Sequence, residues 1–141
     1  MKTAVQAGLV AVVAALGAGA MQPAHAADAG TLVQRTAVCH NGDFRGTFTL
    51  RYETVGGDHR MLGGYTVSGP YIGNSAGQVQ LRISYRSAAT THTVNSQSAE
   101  TTGNTAFTLP SGTTVPVASG GTASATFDNG ANSCTATVPI S

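Results

Sequence analysis

The sequence predicts an all-β protein: an antiparallel β-sandwich of about seven to nine strands, immunoglobulin-like or a related Greek key. After residue 26, apolar and polar side chains alternate with a period of two, and no segment has helical spacing. Asn-Gly and Gly-Gly pairs separate the alternating segments at short intervals, as tight turns between strands require. The chain has no tryptophan, so the prediction concerns the architecture rather than the immunoglobulin family itself.

Four segments carry the clearest alternation. They are 44–53, 78–86, 122–127 and 134–140. Each has one apolar and one polar face, which is typical of a strand with one buried side. Weaker strands are expected at 32–40, 64–68, 92–96, 106–109 and 114–117. The polar stretch 95–105 is expected to be a loop, because it has few apolar residues.

The first 26 residues have the layout of a secretory signal peptide. Lys2 is followed by an apolar run over 7–20, and Ala24-His25-Ala26 forms a small-x-small cleavage site. The run is shorter than the roughly 20 residues of a membrane span. We therefore expect a secreted, extracellular chain that begins at Ala27 and has no membrane segment after cleavage. Residues 27–36 are expected to form an N-terminal arm and residues 37–141 the β-sandwich domain.

The two cysteines, Cys39 and Cys134, lie near opposite ends of the predicted domain. One pair in an exported domain favours a disulfide over a thiol nucleophile or a metal site. Both thiols share a strand face with small or apolar residues, so both are expected to point inward. Closing a loop of about 100 residues would contribute about 4–5 kcal/mol before strain is subtracted.

Charge excludes some partners. Cleavage removes the only lysine and leaves six arginines and six acidic residues, so the formal charge becomes zero. A neutral chain with scattered arginines lacks the basic surface needed for nucleic acid or anionic lipid. Its solubility depends on Thr, Ser, Asn, Gln and Gly, a composition associated with exported bacterial proteins.

Catalytic, cofactor and metal motifs are not apparent in the sequence. Asp58-His59-Arg60 lies between glycines and is expected to be a solvated turn, since no nucleophile is tied to it by a motif. His40, His59 and His92 lack the short regular spacing of metal ligands. We therefore expect no enzyme activity, no cofactor and no metal.

The favoured hypothesis is a protein-interaction module, an adaptor that uses its N-terminal arm and an open sheet edge. Natural edge strands carry lysine, inward charge or proline to prevent pairing with other chains. The segment Thr31, Leu32 and Val33 contains no such residue, and 113–117 is guarded only by proline. An unguarded edge can add a strand from a partner.

Two other hypotheses remain open from the sequence. A secreted protease inhibitor would present the loop 56–64, with Arg60 and Met61 as primary contacts, or the loop 69–73. A glycan-binding module would use Tyr71, which follows Gly69-Pro70 in a turn and is expected to be exposed. Tyr52 and Tyr85 fall on apolar strand faces and are expected to lie in the core.

The precursor layout resembles that of a known family. A short exported chain, one all-β domain, a cysteine pair near its two ends and a lead-in arm are similar to the small adaptor subunit of secreted umbrella toxin particles. In that family the adaptor joins a large stalk-forming subunit to a lectin-like subunit. The resemblance is one of layout, and no family residue is carried over to this sequence.

Overall fold

The computed structural model describes residues 30–141. The predicted signal peptide and residues 27–29 of the predicted arm lie outside the described residues. The chain from Thr31 forms nine strands: β1 (Thr31–Asn41), β2 (Phe44–Val55), β3 (Asp58–Gly69), β4 (Gly77–Ser87), β5 (Thr90–Thr101), β6 (Asn104–Phe107), β7 (Thr114–Pro116), β8 (Gly120–Asp128) and β9 (Ser133–Ile140). The predicted all-β fold is confirmed.

The strands form two antiparallel sheets. The first has the order β1-β2-β3-β6, and β7 also pairs with β3. The second has the order β5-β4-β8-β9. Gly42 and Gly56 have positive φ in the β1–β2 and β2–β3 turns, where an L side chain would be strained. The two sheets pack against each other as the predicted antiparallel sandwich.

The core lies between the sheets and consists of the apolar faces of β2, β4, β8 and β9. Its members include Phe44, Phe48, Leu50, Tyr52, Val79, Leu81, Ile83, Ala123, Ala125, Phe127, Ala136, Val138 and Ile140. These are the faces that the alternation predicts to be buried. Gly46 also faces this core, and a Cβ there would collide with the ring of Phe127. The two sheets therefore approach closely at Gly46.

One side of the sandwich, here called the closed side, is formed by edge strands β1 and β9. The predicted disulfide between Cys39 and Cys134 is confirmed, with Cα atoms 5.7 Å apart and 95 residues between them in sequence. Both cysteines are half-buried and pack against the core. Near them, Asn41 Nδ2 donates a hydrogen bond to the Ser133 carbonyl at 3.2 Å. The disulfide thus links one sheet to the other.

Three local expectations differ from the structure. Residues 31–36 of the predicted arm belong to β1, in agreement with the weaker strand expected at 32–40, and pair with 49–54 of β2. The predicted loop 95–105 consists mainly of β5 and β6, whose backbones pair with β4 and β3. The triplet Asp58-His59-Arg60 begins β3 instead of forming a solvated turn. All three segments pair through their backbones, which a polar sequence does not prevent.

Candidate interaction surface

The side of the sandwich opposite the closed side is open. It is bounded by β5 in the second sheet and by β6 and β7 in the first. A hydrogen bond from Gln97 Nε2 to the carbonyl of Thr108, 3.3 Å long, connects β5 to the residue that follows β6 here. Within the described residues, both cysteines belong to the disulfide on the closed side, so no disulfide links the sheets on the open side.

The edges other than β5 carry recognised protective features. Arg35 on β1 pairs with buried Leu50 and so places its charge on the inward face of that edge. Pro139 interrupts the edge of β9. β6 and β7 are short, with 4 and 3 residues. Short length is itself a protection against pairing with another chain.

β5 differs from the other edge strands that the structure describes. It has 12 residues and contains no proline, lysine or arginine. Its pairing with β4 shifts register between Ile83 and Ser84, which leaves Val94 as the extra residue of a bulge. Beyond the bulge, residues 95–101 pair regularly with β4, and Glu100 is their one charged member. We call this regular segment the β5 edge.

A cleft opens between the sheets beside Val94, and we call it the open-side cleft. It has a volume of about 460 Å³ and is lined by Tyr85, Val94, residues 110–114 and Pro116. The ring of Tyr85 stacks on exposed His92, with centroids 4.9 Å apart and planes at 21°. None of the lining residues carries a charge. The cleft therefore combines apolar surface with the hydroxyl groups of Ser111, Thr113 and Thr114.

A second exposed surface lies on the outer face of the first sheet. Tyr65 and Val67 are 46% and 48% exposed, and they line a shallow groove with Thr66 and residues 104–106. Thr49, the cross-strand partner of Tyr65, is buried although it lies on this outer face. The alternation in 64–68 places Tyr65 and Val67 on one face of the strand, but the sequence alone does not show whether that face is buried or exposed.

The predicted contact residues of β1 and β3 are neighbours across β2 but divide between the two faces of the sheet. Leu32 and Arg60 lie on either side of Glu53, and Val33 and Met61 lie on either side of Tyr52. Leu32 is exposed on β1, and Val33 packs against the core. Arg60 is exposed on β3 and forms an ion pair with Glu53. Met61 is 5% exposed in the core. A primary contact with a protease must be accessible. Buried Met61 therefore cannot serve as the primary contact that the inhibitor hypothesis placed in the loop 56–64.

Tyr71 and Tyr85 are both half-buried and pack against the core, so Tyr71 is less exposed than expected and Tyr85 is less buried. Tyr71 packs its ring edge-to-face on Phe44, with centroids 5.9 Å apart, and its hydroxyl hydrogen-bonds with Ser68. It is therefore half-buried and does not offer an open platform for a sugar. Tyr85, expected in the core, is half-buried and lines the open-side cleft. The contacts that set the burial of these two tyrosines have no local signal in the sequence.

The three histidines lie apart in the fold. His59 is 3% exposed, and its Nδ1 lies 2.8 Å from the Thr54 hydroxyl. His40 and His92 are exposed on β1 and β5. Within residues 30–141, no group of three or more His, Cys, Asp or Glu side chains is placed to hold a metal ion. The same residues include no helix long and apolar enough to cross a membrane.

Comparisons with protein-family models, with curated proteins and with solved structures gave no match to this chain.

Proposed function

We propose that this chain is an exported, non-catalytic protein-interaction module that binds its partner by adding the partner's strand to β5. The observation that carries the proposal is the contrast between β5 and the other edges. Arg35, Pro139 and short length protect the other edges, whereas residues 95–101 offer a regular edge with one charge. An added strand gains main-chain hydrogen bonds along such an edge.

Export is supported by two independent features. The first 26 residues have the layout of a signal peptide. The Cys39–Cys134 disulfide fits an oxidising compartment. Intact-mass analysis of the protein from culture medium tests this part of the proposal: we expect a chain that begins at Ala27 and carries the disulfide. A full-length chain retained in the cells would contradict export.

An adaptor role is supported by the separation of two exposed surfaces. The β5 edge belongs to the second sheet, and the groove beside Tyr65 and Val67 lies on the outer face of the first. A protein that joins two others needs two surfaces that can be occupied together. This arrangement suits the layout resemblance to the small adaptor subunit of umbrella toxin particles.

The experiment is an affinity capture from the culture medium with the tagged protein and edge variants. Ser98→Lys places a charge on the edge strand, where lysine opposes pairing. Its matched control is Gln80→Lys, because Gln80 is exposed and pairs with Ser98 but lies on the inner strand β4. We expect a stoichiometric partner with the wild type and with Gln80→Lys, and its loss with Ser98→Lys.

A pair of proline variants sharpens the test. In an antiparallel pair, the backbone groups of successive residues point alternately toward and away from the neighbouring strand. Hence one of Ser98→Pro and Ala99→Pro removes an N–H bonded to β4, and the other removes an outward N–H. Thermal unfolding identifies the latter as the more stable variant. Partner retention by both this variant and Ser98→Lys would overturn strand addition at β5.

A further inference from the structure

The open-side cleft lies next to the β5 edge. Val94 connects the two features, because it lines the cleft and is the bulged residue that directly precedes the regular segment 95–101. A bulge terminates pairing and redirects side chains locally. A strand added along 95–101 would therefore reach the cleft at the end of its paired segment.

We propose that the open-side cleft is a specificity pocket for one uncharged apolar side chain at the end of the added strand. This inference rests on the proposed function, since it names the chemistry of the partner at the same site. In strand addition, main-chain hydrogen bonds supply affinity and pockets for side chains supply specificity. The occupant is thus an extended protein segment with an aliphatic, proline or aromatic residue at that position.

The lining of the cleft is uncharged and disfavours a charged occupant. Tyr85, Val94, Pro110 and Pro116 supply apolar surface between the two sheets. The lining residues offer no ion pair to a charged side chain, so burying a charge there would cost its hydration without compensation. The volume of about 460 Å³ falls within the range of about 300–1,000 Å³ typical of small ligand sites. It accommodates a large apolar side chain.

The orientation of Tyr85 also supports a preformed pocket. Its cross-strand partner His92 stacks on one face of the ring, which leaves the rest of the ring to line the cleft. On the opposite wall, Thr113 is 6% exposed, and its hydroxyl donates to the Pro110 carbonyl at 2.7 Å. Both walls are therefore fixed before a partner arrives, which lowers the ordering cost of binding.

The test titrates synthetic extended peptides into the full domain and follows binding through the chemical shifts of the domain's backbone amides. The peptides share a Ser/Thr-rich body long enough to span 95–101. One series varies the first residue and another the last, as Leu, Pro, Phe, Ser, Asp or Lys. In one of the two series, we expect peptides with an apolar residue at the varied position to bind at least about ten-fold more tightly than peptides with Ser, Asp or Lys there. The preferred peptides should shift the amides of Val94, Gly112 and Thr114.

Two variants separate this inference from the proposed function. Val94→Thr keeps the shape of the side chain but makes it polar, and Ser111→Glu adds a charge at the exposed rim without altering the core. Both should abolish the preference for an apolar end residue while leaving weak binding of the peptide body. Val117→Thr is the control, because Val117 is 44% exposed and does not line the cleft.

The outcomes are distinct. Loss of all peptide binding in Ser98→Lys, with an apolar preference that Val94→Thr removes, supports both proposals. Binding that depends on Ser98 but ignores the end residue overturns the pocket alone. No peptide binding at all overturns the pocket and argues against strand addition. The pocket proposal is also overturned if neutral oligosaccharides, but not the peptides, change the chemical shifts of the cleft amides. A dimer of this chain that excludes the peptides overturns it as well.

Discussion

Arg35 and Tyr52 are joined by a hydrogen bond inside the closed side of the sandwich, where Arg35 Nε donates to the Tyr52 hydroxyl at 3.0 Å. The same hydroxyl donates to the Ser141 backbone oxygen at 3.1 Å and accepts from the Ser141 N–H at 3.3 Å. One core hydroxyl therefore connects β1 and β2 to the residue that follows β9. It also fixes the inward position of the Arg35 charge.

Replacing Tyr52 with Phe should lower the free energy of unfolding by about 1–3 kcal/mol, because it leaves Arg35 and the Ser141 backbone without this shared partner. Urea unfolding of the domain measures the change. Tyr65→Phe is the matched control: Tyr65 is exposed, so its loss of a hydroxyl should change stability by less than about 0.5 kcal/mol. Equal effects of the two substitutions would contradict a structural role for the Tyr52 network.

The Cys39–Cys134 disulfide should contribute about 2–5 kcal/mol, since it closes a long loop in the unfolded chain. The double variant Cys39→Ala, Cys134→Ala leaves no unpaired thiol and allows this contribution to be measured by urea unfolding. Adding a reducing agent should lower the free energy of unfolding of the wild type by a similar amount and leave that of the double variant unchanged. Two free thiols in the non-reduced wild type would contradict the bridge itself.

The sequence predicted the strands that bury one complete face. In β2, Phe44, Phe48, Leu50 and Tyr52 all face the core, so the alternation of apolar and polar residues is clear. The disulfide was also predictable, because a single cysteine pair behind a predicted signal peptide favours a bridge over other uses. These features depend on local pattern and composition, which a single sequence contains.

The candidate site could not be predicted in the same way. Residues 95–101 are mostly polar because β5 is an edge strand whose side chains are largely exposed, and such a composition is also typical of a loop. Its strand structure depends on pairing with β4. The cleft depends on contacts between Tyr85 and residues 110–114, which are distant in sequence. Neither relationship has a periodic signal.

Gly46 should tolerate no side chain. A Cβ at this position would collide with the Phe127 ring across the core, so Gly46→Ala should destabilise the domain by about 1–3 kcal/mol through overpacking. The control is Gly57→Ala: a Cβ there meets no atom within 4 Å, and Gly57 does not have a positive φ. Urea unfolding compares the two. An unchanged midpoint for Gly46→Ala would show that the sheets separate at little cost.

His59 places an unsatisfied nitrogen in the core. Its Nδ1 bonds with the Thr54 hydroxyl, and its ring packs edge-to-face on Tyr52 with centroids 5.3 Å apart. Its Nε2 is buried and has no hydrogen-bond partner among the residues that the structure describes. An unpartnered buried polar group costs about 1–3 kcal/mol, so an apolar side chain of similar size is expected to be tolerated.

We therefore expect His59→Leu to leave the free energy of unfolding unchanged or to raise it by about 1 kcal/mol, because the lost Thr54 contact is offset by removal of the unpaired Nε2. Thr54→Val should instead lower stability by about 1 kcal/mol, since it keeps the imidazole and removes its partner. Parallel urea titrations compare the two variants. A core truncation typically lowers the free energy of unfolding by roughly 2–5 kcal/mol. A decrease of that size in His59→Leu would mean that the imidazole makes contacts that an apolar side chain cannot replace.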